Sequence, residues 1–198
     1  RLRTPEAIEE FKSHLADVAV VVAYGRILPE PFLHAFPLGA INVHFSLLPK
    51  YRGAAPVNWA IVNGEKSTGV TTMKMDAGLD TGDILLQSEV MIGDNENSIE
   101  LMERLAVLGA ELLSETLANL GEIEPRAQEN AAATLAPIMK KEDGRIDWAM
   151  TADAICRRIL GFQPFPTTYT FLGDRRFTLW KAVSSQEMSH GVQSGSVI

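Results

Sequence analysis

The spacing of apolar and polar residues along the 198-residue chain predicts alternating helices and strands. Apolar positions three and four residues apart after Pro5 predict a short helix that ends at Asp17. The β-branched run Val18–Ala23 is typical of a strand buried on both faces of a parallel sheet. A helical stretch from Pro29 then leads to a second predicted strand over Gly39–His44. Strand, helix and strand within about 30 residues match the size of a βαβ unit, so the pattern favours an α/β fold.

The middle of the chain predicts a helix, two strands and a longer helix. An apolar run over Val57–Val62 predicts a helix that stops at Asn63-Gly64. Thr68–Met75 and Ile84–Met91 are predicted strands on either side of a turn-rich loop. The stretch Asn97–Leu120 places leucines on one stripe, which is typical of an amphipathic helix packed on a core.

The regular spacing stops after this helix. Residues 124–142 contain two prolines and an alanine run without an apolar face, and we predict a linker there. A short helix over Thr151–Leu160 and two strands follow, which indicates the beginning of a second domain. The sequence therefore predicts three units, 1–123, 124–142 and 143–198.

Composition is that of a globular protein and excludes several classes. Hydrophobic residues make up 46% of the chain and charged residues 22%, which excludes fibrous and disordered proteins. The single cysteine, Cys156, cannot form an internal disulfide, so a reducing, cytoplasmic setting is expected. The longest apolar run is strand-sized, far below the roughly 20 residues of a membrane helix, so no membrane association is predicted.

Charge is divided unevenly along the chain. The formal net charge of −7 argues against a general nucleic-acid coat protein. Residues 1–123 contain nine basic and 17 acidic side chains, whereas residues 137–198 contain eight basic and six acidic ones. The N-terminal part of the chain is therefore acidic and the C-terminal part is mildly basic.

Candidate chemistry lies where the second predicted strand ends. Asn42 and His44 are two residues apart and share one face of that strand. Ligands bind at the carboxyl ends of strands in open α/β sheets. An amide donor beside an imidazole can stabilise an oxyanion and move a proton, as acyl transfer requires. Asp80, in a glycine-flanked loop, can supply a carboxylate that orients His44 and favours its protonated form.

Each of these residues also has an ordinary structural interpretation. A histidine at a strand end often bonds to nearby backbone, and an aspartate between glycines is often a turn former. Asp76 and Asp83 compete with Asp80 as the carboxylate partner. The histidines lack the spacing of metal ligands, so no metal is predicted.

Two long motifs resemble those of the folate-dependent formyltransferases. The first is Asn42-x-His44-x-Ser46-Leu-Leu-Pro49, continued by Tyr-Arg-Gly to Pro56, and the second is Gly78-Leu-Asp-Thr-Gly-Asp83. The resemblance extends to Lys141–Trp148 and Gln163–Tyr169. It implies a Rossmann-like catalytic domain, then the start of a C-terminal open, OB-like β-barrel. By the same resemblance, opening strands of the catalytic domain are expected before the first residue and much of the barrel after the last.

The resemblance also implies an activity and its residues. The expected reaction transfers a formyl group from 10-formyltetrahydrofolate to the α-amino group of methionine on initiator tRNA. The alternatives are a nucleotide-sugar or other small amine as acceptor, hydrolysis of the formyl-folate, and a non-catalytic folate- or RNA-binding module. The motif positions imply catalytic roles for Asn42, His44 and Asp80, and folate contacts for Ser46, Leu47, Leu48 and Pro49.

Basic residues after the predicted linker are candidates for contact with tRNA phosphates. They are Lys140, Lys141, Arg145, Arg157, Arg158, Arg175 and Arg176. For each of them, an ordinary surface charge is the more common interpretation. A monomeric protein is expected.

Overall fold

The computed structural model of the protein describes residues 4–185 and 194–196. The predicted unit 143–198 therefore lies partly outside the described residues. Five α-helices are present in the described part, and their ends lie within a few residues of the predicted boundaries. The helices are α1 (Pro5–Ser13), α2 (Glu30–Leu33), α3 (Pro56–Asn63), α4 (Ser98–Ala118) and α5 (Ala152–Gly161). The strands are β1 (Ala19–Val22), β2 (Ala40–His44), β3 (Arg52–Gly53), β4 (Ser67–Lys74), β5 (Ile84–Met91), β6 (Leu135–Ala136), β7 (Thr168–Leu172) and β8 (Arg175–Leu179).

A four-stranded mixed sheet forms the centre of the first part of the chain. Its strand order is β1-β2-β4-β5. Strands β1 and β2 are parallel and are joined through α2, which confirms the predicted βαβ unit and the α/β class. Strand β4 runs antiparallel to both β2 and β5. Because β1 and β2 are parallel, their carboxyl ends meet at one edge of the sheet, next to His44.

Strand β1 differs from its prediction in burial. The run Val18–Ala23 was predicted to be buried on both faces, and this is wrong. Ala19 and Val21 pack towards the apolar cluster under α1 and α2. Val20 and Val22 point the other way and are 42% and 50% exposed. The strand lies at the edge of the described sheet, with apolar packing on one face only.

Helix α4 covers the sheet as the apolar stripe predicts. Asn97 begins it with a capping box, in which its side chain accepts from backbone N–H groups and Glu100 accepts the N–H of Asn97. Leu101 and Leu105 are fully buried in the main core cluster. The Thr116 hydroxyl lies 2.8 Å from that of Thr72, so these two buried hydroxyls are hydrogen-bonded to each other.

The C-terminal part packs on α3 through helix α5. The Asn58 side chain donates a 2.7 Å hydrogen bond to the carbonyl of Gly161 at the end of α5. Ile159 and Phe162 are buried at this contact, and the Phe162 ring meets Trp59 edge to face. Strands β7 and β8 form a separate antiparallel hairpin beyond it. Within the described ranges, no helix is both long and apolar enough to cross a membrane.

The segment predicted as a linker lies against the sheet domain over much of its length. Ile84 and Arg126 exchange backbone hydrogen bonds of 2.9 and 2.8 Å. Strand β6 then pairs in parallel with β3. Gly53 permits this approach, since a Cβ there would lie 2.6 Å from the carbonyl oxygen of Ala136. We call residues 126–137 the strap.

Candidate functional site

Strand β2 brings Asn42 and His44 to the carboxyl edge of the sheet. Asn42 is half-buried and His44 is 6% exposed. The His44 Nε2 lies 2.9 Å from the backbone carbonyl oxygen of Tyr51. A carbonyl oxygen only accepts, so this contact assigns a proton to Nε2. The proton on Nδ1 then decides whether the ring is charged.

Asp80 reaches the same place from the loop between β4 and β5. Its Oδ2 accepts a 2.8 Å hydrogen bond from the Gly53 N–H and lies 3.7 Å from Nδ1 of His44. Its Oδ1 lies 3.5 Å from the Asn42 Nδ2. The structure therefore brings the three predicted catalytic residues together, with the carboxylate facing both the imidazole and the amide.

The loop reaches this position through a tight turn. Asp80 has a φ of +51°, in the left-handed region that aspartate tolerates better than most residues with a Cβ. Gly82 passes so close to β4 that a Cβ there would lie 1.7 Å from the carbonyl oxygen of Lys74. These two positions turn the chain so that the Asp80 side chain points back to β2.

The two competing aspartates lie elsewhere in the loop. Asp76 is exposed, and its carboxylate accepts from the Gly78 N–H and the Thr81 hydroxyl. It therefore shapes the turn. Asp83 is exposed and follows the turn. Of the three carboxylates, Asp80 is the one placed at His44.

The predicted folate segment turns directly after β2. Ser46 is fully buried, and its hydroxyl donates to the carbonyl of Lys50 at 2.6 Å. Leu48 is 3% exposed, and its N–H donates to the Thr71 hydroxyl. Leu47 and Pro49 are half-exposed. Ser46 and Leu48 thus hold the segment in shape, and Leu47 and Pro49 offer the surface that a ligand can touch.

The predicted tRNA contacts differ in burial and in packing. Five side chains are exposed: Lys140, Lys141, Arg145, Arg175 and Arg176. Arg157 is half-buried and bonds the carbonyl of Val62. Arg158 stacks over the Phe162 ring at 4.8 Å and donates to the carbonyl of Asp143. Burial lowers the pKa of the Arg158 guanidinium from its usual value. These two arginines contribute to packing between α5 and its neighbours.

Sequence reasoning missed the polar contacts that the strap makes at the site. The buried Arg52 side chain donates to Gln128 and Asn130, and the Tyr51 N–H donates to the Thr134 hydroxyl at 2.9 Å. The sequence signal for these contacts was weak. The strap contains polar residues without an apolar period, and the same pattern is typical of a linker. Searched over the described residues, no group of histidine, cysteine, aspartate or glutamate could hold a metal ion.

Tyr51 gives a pH-dependent prediction for stability. Burial raises the pKa of its hydroxyl to about 12, and the neighbouring Glu65 carboxylate acts in the same direction. The folded protein therefore holds this proton more tightly than the unfolded chain, and the resulting stability is lost as the pH rises from about 10 to 12. Denaturant titrations measure how far the free energy of unfolding falls over that pH range. The fall in Tyr51→Phe should be smaller than that in wild type by roughly 1–2 kcal/mol. Tyr24→Phe, at an exposed tyrosine, should match wild type; equal falls in all three proteins would contradict the prediction.

Comparison with known proteins identifies both parts of the chain. Residues 1–117 match the family described as formyl transferase, and residues 138–198 match the C-terminal domain of formyl transferase. The methionyl-tRNA formyltransferase of Solibacter usitatus is 54% identical over 184 residues, which cover 92% of this chain and 59% of the relative. The chain thus spans about three fifths of the length of the curated relatives it matches.

Solved structures share the fold at low sequence identity. The methionyl-tRNA formyltransferase from Clostridium thermocellum gives a TM-score of 0.73 at 23% identity, covering 90% of this chain and 77% of that one. HypX from Aquifex aeolicus, solved in complex with tetrahydrofolic acid, gives a TM-score of 0.77 at 19% identity, covering 96% of this chain and 33% of that one. Together with the two family matches, these likenesses confirm the predicted fold class: a Rossmann-like formyltransferase domain followed by the family's C-terminal domain.

Proposed function

This chain belongs to the formyl transferase family, and on that basis we propose that the protein transfers a formyl group from 10-formyltetrahydrofolate to the α-amino group of methionine on initiator tRNA. The observation that carries the proposal is the convergence of Asn42, His44 and Asp80 at the carboxyl edge of the sheet. The methionyl-tRNA formyltransferase name of the 54% identical relative supports this acceptor.

Asn42 and His44 act in this proposal on the oxygen of the formyl group. The half-buried Asn42 amide has only a 3.5 Å contact to Asp80, so its N–H can turn to a ligand oxygen. The His44 Nδ1–H, when present, is the second donor at this edge. Two donors aimed at an oxygen that becomes negative in the transition state stabilise that state more than the ground state.

Asp80 acts on protons. The Asp80 carboxylate lies 3.7 Å from Nδ1 of His44, so the two side chains attract each other when that nitrogen carries a proton. The attacking amine must also lose a proton, and we assign its acceptance to Asp80, directly or through a water. The amine nitrogen bonds to the formyl carbon, and the bond from that carbon to N10 of the folate breaks. The N10 leaving group takes up a proton, which balances the one that the amine loses.

The proposal places the folate ring system at the carboxyl ends of the strands. Bound folate supplies the activated formyl group. Exposed apolar side chains lie just past β1 and within the Asp80 loop: Tyr24 is 43%, Ile27 64% and Leu79 52% exposed. Leu47, directly after β2, is also partly exposed, and burying apolar side chains of this kind under a ring is favourable. Asn42, His44 and Asp80 would then face the formyl end.

The acceptor experiment tests the proposal. The full-length protein is incubated with 10-formyltetrahydrofolate and either Met-tRNA or nucleotide-linked amino sugars, and formylated products are measured. We expect transfer to Met-tRNA and at least 100-fold lower kcat/KM with the amino sugars. Transfer only to an amino sugar, release of formate without an amine acceptor, or folate binding without turnover would overturn the proposal.

Lys140 and Lys141 give a prediction about tRNA binding. Both are exposed and follow the strap in sequence, and phosphate contacts release counterions from tRNA. The double variant Lys140→Ala/Lys141→Ala should bind Met-tRNA more weakly. The slope of log affinity against log salt concentration should also become less negative by about one to two. Filter-binding titrations across salt concentrations measure this. Lys12→Ala, in the acidic part, is the control, and an unchanged slope in the double variant would remove these lysines from the tRNA site.

The cytoplasmic location and the monomeric state stay predictions. The first follows from the single cysteine and from the proposed role in translation initiation. Sedimentation of the full-length protein tests the second.

A further inference from the structure

One side chain of the strap connects a buried arginine to the Asp80 loop. The Gln128 Nε2 donates hydrogen bonds to the backbone carbonyls of Asp80 at 2.9 Å and Gly82 at 2.7 Å. The Gln128 Oε1 accepts two hydrogen bonds from the Arg52 guanidinium, at 3.0 Å from Nε and 2.8 Å from Nη2. All four bonding positions of this amide are therefore in use.

The orientation of the Gln128 amide is fixed by its partners. A guanidinium only donates and a backbone carbonyl only accepts. A flipped amide would set its donors against Arg52 and its oxygen against two carbonyls, and would lose all four hydrogen bonds. Arg52 is 7% exposed, and its Nη2 also donates to Asn130 at 3.0 Å. The Arg52 guanidinium, which donates from two nitrogens to the Gln128 oxygen, therefore holds the Gln128 N–H groups turned towards the loop.

The position of the Asp80 carboxylate depends on the strap at two points. Gln128 holds the loop carbonyls on either side of Thr81. The Gly53 N–H, which donates to the Asp80 carboxylate, belongs to β3 and is held in place by pairing with Ala136. Both supports hold Asp80 in its left-handed backbone conformation, in which its carboxylate faces His44.

We propose that Gln128 is a positioning residue for the proposed formyl transfer. Its amide holds the Asp80 loop so that the carboxylate faces His44, and Arg52 sets the orientation of that amide. The inference rests on the proposed function for its kinetic readout, and on the site geometry alone for a second readout.

The Gln128→Glu variant separates positioning from folding. Its carboxylate keeps an acceptor for Arg52 but loses both donors to the loop and turns an oxygen towards two carbonyls. Because small displacements of reacting groups cost up to about 100-fold in rate, we expect kcat for formyl transfer to fall about 10- to 100-fold. The KM values for donor and acceptor should stay within about threefold, since the Gln128 amide is fully bonded to Arg52 and to the loop. The ¹⁵N signal of His44 Nδ1 should shift as the Asp80 contact loosens.

Two further proteins complete the experiment. Glu129→Gln, at the exposed neighbouring position, is the matched control and should behave as wild type in both readouts. Arg52→Lys keeps the positive charge but removes the fork, so it should lower kcat by a smaller factor. Combined with Gln128→Glu, it should add little to the loss, because both changes disrupt one chain of contacts.

The outcomes decide the role of Gln128 separately from the proposed function. A kcat within threefold of wild type in Gln128→Glu, with an unchanged His44 signal, would overturn the inference. So would a rise in KM alone, or a loss of activity that only tracks a lower folded fraction. If wild type fails to formylate Met-tRNA, the proposed function fails, and the His44 nitrogen signal still tests Gln128. If wild type formylates another amine, the same kinetic comparison is made with that acceptor.

Discussion

Replacing Asp80 by asparagine is expected to lower kcat for formyl transfer about 1,000-fold while the protein stays folded. An asparagine oxygen can still accept from the Gly53 N–H, so the loop keeps its 2.8 Å anchor. The change removes the negative charge that lies 3.7 Å from Nδ1 of His44 and the base proposed for the amine proton. Positioned acid–base groups contribute about 100- to 10,000-fold, and the expected loss lies within that range.

The measurement compares single-turnover rates of Asp80→Asn with those of Asp83→Asn. Asp83 is an exposed aspartate three residues further along the same loop, so its variant makes the same chemical change away from His44. It should retain wild-type rates within about threefold. Equal rates in the two variants would show that the carboxylate at His44 has no part in the chemistry.

The parts of the site on regular strands could be predicted from the sequence. Strand period places Asn42 and His44 on one face, and the structure has them at the end of β2. The glycines around Asp80 predict a loop that turns sharply, and its position beside β2 follows once β4 pairs with that strand. The shared face and the turn depend on local signals, which act over a few residues, whereas the position of the loop also needs the pairing of β4 with β2.

The strap could not be predicted because its contacts are long-range and polar. Tyr51 and Thr134 are 83 residues apart in sequence, and Arg52 and Gln128 are 76 apart. Polar side chains carry no periodic signal, and the short pairing of β6 with β3 adds too few residues to read as a strand. For the same reason the sequence could not show that Arg52, a typical surface residue, is buried here. Nor could it show that Val20 and Val22 face an open side of the sheet, because packing by neighbouring elements decides this.

Removing the two proposed oxyanion donors gives the second large expected effect. Asn42→Ala should lower kcat about 100-fold, the typical cost of losing one such donor. His44→Ala should lower it at least as much, because the ring is also the neighbour of the Asp80 carboxylate. His44→Ala also leaves the Tyr51 carbonyl without its 2.9 Å donor, so its thermal stability should fall, whereas that of Asn42→Ala should change little.

The double variant distinguishes a cooperating pair from two independent residues. If Asn42 and His44 act on the same oxygen, the first loss already misplaces the formyl group, and the second costs less than it does alone. The double variant should therefore be slower than either single variant by about tenfold or less. Ser88→Ala, at a half-buried position on β5 away from the trio, is the control for general perturbation of the sheet. Single-turnover rates within a few-fold of wild type in either Asn42→Ala or His44→Ala would remove that residue from the mechanism, since a donor to the developing oxyanion cannot be lost without slowing the chemical step.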